Sequence, residues 1–220
     1  GKPWALRDGE LYIISSDQMV VVGETGYLKY IDELGVTDVK ALKGAKGSQE
    51  TTEDGFSDMQ GHWAEQDVND MKKKGFAAGV GENRFDPESS VSVAEFVALI
   101  TRAMGYTGGE DGEKWYQKSM EQAEQNGLLT ETMKQNPEKS ITREEMAYAI
   151  SKAAGIQAEF DLAGYSDAAE IDETMQDAVK AASANKIIYG MPDGTFRPKE
   201  NATRAQAVVM IKRLLSVTEG

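Results

Sequence analysis

The chain has 220 residues, 40% of them hydrophobic, so it can hold one or two ordinary domains with real cores. Its formal net charge is −13, which argues against nucleic acid and against an anionic membrane surface, since both need a basic footprint. With no cysteine and one histidine, His62, disulfides, thiol chemistry, histidine triads and the common zinc sites are removed, and no cofactor or metal is expected.

In chain order, Leu11–Ile14 and Met19–Val22 are short β-prone runs separated by Ser15-Ser16-Asp17-Gln18, which predicts a hairpin. Tyr27–Ile31 is a third strand or the start of a short helix ending near Gly35. Residues 1–42 read as a β-rich segment, either the tail of an upstream domain or a small packed extension. Residues 43–55 carry almost no large apolar side chain and read as a linker. No apolar run reaches the ~20 residues that span a bilayer, so no membrane insertion is expected.

Three repeats follow, at 56–106, 107–160 and 161–220. In the first, a helix from about Ala64 to Lys74 buries Val68 and Met71 and ends at Gly75. A turn-rich loop from Gly79 to Pro87 leads to Ser92-Val93-Ala94-Glu95 and a second amphipathic helix. The third repeat matches: Tyr165-Ser166-Asp167 stands for Phe56-Ser57-Asp58, and Gly190–Phe196–Pro198 keeps the spacing of Gly79–Phe85–Pro87. The second is degenerate. It keeps the Trp115-to-Gly127 spacing of Trp63 to Gly75, but lacks the Phe/Tyr-Ser-Asp element and the loop phenylalanine, and its loop is shorter. A two-helix unit cannot bury its apolar face alone, so the expected body is mainly α: a pseudo-threefold trimer of helix-loop-helix repeats around a central three-helix bundle, with three grooves between neighbours.

Each closing helix opens with a four-residue motif: Ser92–Glu95, Thr142–Glu145 and Thr203–Gln206, five residues after Pro87, Pro137 and Pro198. The outer positions predict capping boxes. The second position carries Arg143 and Arg204 but Val93 in the first copy. A cation in the first turn opposes the helix dipole. The two arginines therefore serve either structural salt bridges or an anion site where a guanidinium and helix amides converge. Trp63 and Trp115 are core anchors or sugar platforms. Asp58 and Asp167 cap the first helices or accept from sugar hydroxyls. Gly79 and Gly190 supply positive φ or let a ligand approach. His62 is read as a loop residue without a catalytic role.

The run Phe56-Ser57-Asp58-Met59 through His62-Trp63-Ala64, the Gly79–Pro87 loop and Ser92–Glu95 resemble an S-layer homology domain. Tyr165-Ser166-Asp167, Tyr189–Pro198 and Thr203-Arg204-Ala205-Gln206 resemble it more strongly. The resemblance covers about residues 55–216. It implies a non-catalytic module that anchors exported proteins to a bacterial cell wall, hence an extracellular location. Its partner would be a secondary cell-wall polysaccharide, often bearing pyruvylated N-acetylmannosamine, or a peptidoglycan-linked glycan, bound in inter-repeat grooves. By resemblance Arg143 and Arg204 meet the carboxylate, and Asp58, Asp167, Trp63, Trp115, Gly79 and Gly190 form groove walls and polar contacts. Val93 then limits the competent grooves to two. The competing expectations are the C-terminal part of a wall-associated glycan hydrolase, or a self-associating surface-lattice protein with lattice neighbours as partners.

Overall fold

A computed structural model describes residues 55–106 and 112–218, and the backbone of three short strands at 4–7, 10–14 and 19–21. The strands are β1 (Trp4–Arg7), β2 (Glu10–Ile14) and β3 (Met19–Val21), antiparallel in the order β1-β2-β3. Ala5 pairs with Tyr12, and Ile13 with Val20. The expectations for Tyr27–Gly35 and for 43–54 lie outside the described residues.

The second unit takes in Phe56–Gly190 and Gly194–Gly220. Its helices are α1 (Glu65–Lys73), α2 (Val93–Ala103), α3 (Gln117–Gln125), α4 (Glu131–Gln135), α5 (Arg143–Ala154), α6 (Gln176–Ala184) and α7 (Arg204–Thr218). The closing helices α2, α5 and α7 pack on one another as the central bundle. Their apolar faces supply Phe96, Ile100, Met146, Ile150, Val208 and Ile211 to the core. Each first helix docks on the preceding closing helix: α3 on α2, α6 on α5, and α1 on α7, which closes the ring. The short α4, capped by Thr130 and anchored by buried Met133, was not foreseen; five residues are too few to show a helical period.

The expected capping boxes are present. The Ser92, Thr142 and Thr203 hydroxyls accept from the amides of Glu95, Glu145 and Gln206 at 3.2, 3.4 and 3.3 Å. In return the side chains of Glu95, Glu145 and Gln206 accept from the amides of Ser92, Thr142 and Thr203.

At the axis, the residues just before each motif form a cycle. Val91 N–H donates to Ala202, Ala202 to Ile141 and Ile141 to Val91, at 3.0, 2.9 and 3.0 Å. All three side chains are buried. A buried backbone donor without a partner is costly, and here each repeat satisfies the next.

Candidate functional site: the inter-repeat grooves

The grooves follow from this cyclic order. The first amides of each closing helix donate to the loop of the following repeat: Ala94 to Pro137 O, Glu144 to Pro198 O and Ala205 to Pro87 O. The side chain at motif position two is thereby carried onto that same loop. Arg143 donates from Nε to Phe196 O and from Nη2 to Tyr189 O, both at 2.8 Å, with its guanidinium 5.1 Å from the Phe196 ring centre. Arg204 repeats the arrangement on the first repeat, donating to Phe85 O and Ala78 O at 3.0 Å, 4.9 Å from the Phe85 ring centre. Neither partner set was foreseen. Backbone carbonyls and a loop phenylalanine hold both guanidiniums, and Glu95 lies 4.0 Å from Arg204.

This geometry accounts for Val93. The loop it faces belongs to the second repeat, which lacks the phenylalanine. The arginine and its ring are absent together, at one seam.

The aspartates hold the loops. Asp58 accepts from the Phe85 and Asp86 amides at 2.8 and 2.7 Å, and Asp167 from the Phe196 and Arg197 amides at 2.7 Å each. Asp86 and Arg197 have φ of 59° and 56°, a left-handed conformation that needs such support in a non-glycine residue. Neither aspartate caps a first helix. Burial pushes the Asp58 carboxyl up, but the two amides and the Arg84 charge outweigh it and hold the group below its ordinary range.

Gly79 and Gly190 are needed for a reason not anticipated. Neither has positive φ. A Cβ at Gly190 would stand 2.5 Å from the Tyr165 ring and 2.9 Å from Thr195 O; at Gly79 it would meet Arg84 O and the Phe56 ring at 2.7 Å. The glycine admits the aromatic of the Phe/Tyr-Ser-Asp element under the loop.

The tryptophans are not core anchors. Trp63 is 51% and Trp115 69% exposed, because the following residues, Ala64 and Tyr116, take the inward positions. His62 accepts from the Ala64 amide at Nδ1 and faces Glu88 at 2.8 Å through Nε2.

One groove is an open cavity of about 270 Å³, lined by Gly79, Val80, Glu95, Arg102, Trp115 and Arg204 among others. It joins all three repeats: loop and α2 from the first, Trp115 from the second, Arg204 from the third. Of the expected site residues, Gly79, Trp115 and Arg204 therefore meet in one place. Asp58 lies behind the loop, holding it. Arg143, Asp167 and Gly190 form the matching seam between the second and third repeats, where Arg143 is only 4% exposed. Trp63, the counterpart of Trp115, precedes α1, which packs on α7.

Among the described residues, no helix is long and apolar enough to cross a membrane. The family model of the S-layer homology domain matches residues 55–97 and 164–208. Similar proteins include an endoglucanase of Bacillus sp. (strain KSM-635), 30% identical over 174 residues, 73% of this chain and 18% of that protein. An amylopullulanase of Thermoanaerobacterium thermosulfurigenes is 29% identical over the same share of this chain and 9% of its own. The outer membrane protein SlpA of Thermus thermophilus is 48% identical over 60 residues, 27% of this chain and 6% of that protein. The chain thus spans less than a fifth of the length of these relatives. S-layer homology domains are non-catalytic anchoring modules of cell-surface proteins. With matching segments in its first and third repeats and the same seams linking all three, the chain belongs to the S-layer homology domain family.

Proposed function

We propose that this chain anchors an exported protein to a bacterial cell wall, without catalysis, by binding an anionic secondary cell-wall polysaccharide between its repeats. The sugar is pyruvylated N-acetylmannosamine, and the site is the groove that holds Trp115 and Arg204. The observation that carries this reading is Trp115 itself. A tryptophan 69% exposed at the rim of a cavity containing two arginines leaves a large apolar face in water beside positive charge. A pyranose with a carboxylate presents the complementary pair: an apolar ring face and an anion.

Co-sedimentation with purified walls, native and stripped of secondary polymer, tests this. The chain should pellet with native walls and stay in solution with stripped ones. Trp115→Ala should weaken retention about tenfold, roughly 1.4 kcal/mol. Equal retention on both wall preparations overturns the polymer assignment.

For the protein as a whole, three relatives named as glycan-degrading enzymes, the endoglucanase, the amylopullulanase and an exoglucanase, favour a wall-attached hydrolase. Its activity would reside outside the part that aligns here. Full-length protein should then release sugars from polysaccharide while this chain releases none.

A further inference from the structure

We propose that Arg102, rather than the motif arginine Arg204, reads the ligand's carboxylate in the Trp115 groove, and that Arg204 is a positioning residue. This rests on the anchoring function proposed above and names the residue that gives it its charge selectivity. Ten residues after each N-cap, every closing helix carries a cation: Arg102, Lys152 and Arg213. A cation near a helix C-terminus complements the dipole, which explains the position at Arg102 and Lys152, whereas α7 runs on past Arg213 to Thr218. The three differ in what they touch. The Arg213 guanidinium lies 4.6 Å from the Tyr189 ring centre and donates to Ile187 O at 3.4 Å. Lys152 lies 5.4 Å from the Tyr148 ring centre.

Arg102 has neither. The residue that corresponds to Tyr189 in the first repeat is Ala78, so the ring beside Arg213 has no counterpart beside Arg102. Among the described residues its guanidinium has no hydrogen bond or ion pair, it is exposed, and it lines the groove with Trp115. Arg204 is the opposite case. Two of its nitrogens are taken by Phe85 O and Ala78 O, a third faces Glu95 at 4.0 Å, and its side chain is only 17% exposed. Two of its donor groups are committed to the loop, its geometry is fixed, and Glu95 stands nearest to the nitrogen that remains. An incoming carboxylate therefore meets the unmatched guanidinium of Arg102, while Arg204 keeps the loop in place.

The chemistry recognised is a carboxylate on a pyranose, carried as an acid-labile ketal or as an acid-stable uronate. Retention of this chain is measured on native walls, on walls with carboxylates amidated by carbodiimide, and on walls cleared of ketals by mild acid. Arg102→Gln should bind native walls at least tenfold more weakly than the parent, with an unchanged melting temperature. The two should be alike on amidated walls. Arg102→Lys should recover part of the loss. Arg204→Gln should lower the melting temperature, the mark of a positioning residue. Loss of parental retention after mild acid identifies the ketal as the carboxylate's carrier, and retention after it identifies the uronate; both support the site. Native binding by Arg102→Gln equal to the parent's overturns the assignment and leaves the anchoring function standing. Parental retention unaffected by amidation also overturns it alone. No parental retention on native walls overturns both.

Discussion

Asp58 and Asp167 each spend both carboxylate oxygens on two consecutive amides of their own loop. Because the Asp58 carboxyl is held below its ordinary range, its contribution is fully present above the pKa of the unfolded chain. It is lost as pH falls from about 4 through the lower folded-state value. Asp58→Asn should cost about 1–2 kcal/mol at pH 7, discounted for the partial exposure of the group. When melting is followed from pH 6 to pH 3, the parent's stability advantage should hold down to about pH 4 and shrink below it; an advantage independent of pH would contradict the ionic character of the clip. At this scale the sequence was legible where the partners are local. Ser92 with Glu95 announces a capping box because the two are one helical turn apart. Arg143 with Phe196 does not, because the partners are brought together only by the ring. Arg143 and Arg204 each bond two carbonyls, which any residue supplies, so no side-chain pattern could mark those partners.

At the scale of the element, the closing helices begin where the motifs say and for the stated reason. Each start also carries a seam, since its first free amides are donated to the next repeat's loop. Thr142→Ala should therefore cost about 1 kcal/mol as a lost cap. Hydrogen exchange should quicken at the Glu145 amide, which loses the hydroxyl, and at Glu144, whose bond to Pro198 O depends on the same turn. Protection unchanged at both amides would place the cap's energy elsewhere. The tryptophans show where reading by element goes astray. Trp63 and Trp115 sit beside the inward residues Ala64 and Tyr116, and a one-position difference at a helix start moves a side chain from core to surface. Repeat-to-repeat spacing locates such a residue but does not say which way it faces. The cations at Arg102, Lys152 and Arg213 were visible in the sequence as a repeated position, yet they become informative only when Ala78 is seen opposite one and Tyr189 opposite another.

Over the whole molecule, three repeats and their amphipathic helices were enough to anticipate the pseudo-threefold bundle. The direction of the ring was not legible, because it depends on which neighbour each first helix chooses. The last joint is made by α7 on α1. Lys212 donates to Asp67 and Asp70 at 2.7 and 2.6 Å, across 145 and 142 residues of chain. Burial would lower the Lys212 pKa, but the two carboxylates outweigh it and raise it, so the contribution persists until strongly alkaline pH. Lys212→Met leaves two carboxylates facing each other at the joint and should cost about 1 kcal/mol. Its signature is limited proteolysis that opens α1 before the other helices, more so at low salt where the repulsion is unscreened. Cleavage that begins in α3 or α6 would show that this joint is not the weakest.

The backbone cycle through Val91, Ile141 and Ala202 has a consequence for assembly. Each repeat meets its neighbour head to tail, with one donor surface and one acceptor surface. Contacts of that kind between separate subunits either close into a ring or propagate without end. Here three copies in one polypeptide close the ring and leave no sticky edge. Two would expose one surface of each kind and invite polymerisation, and a fourth would find no vacancy. The repeat number is thus set by rotational closure, and the degenerate second copy completes the circle even at the seam that lacks the arginine and the loop phenylalanine.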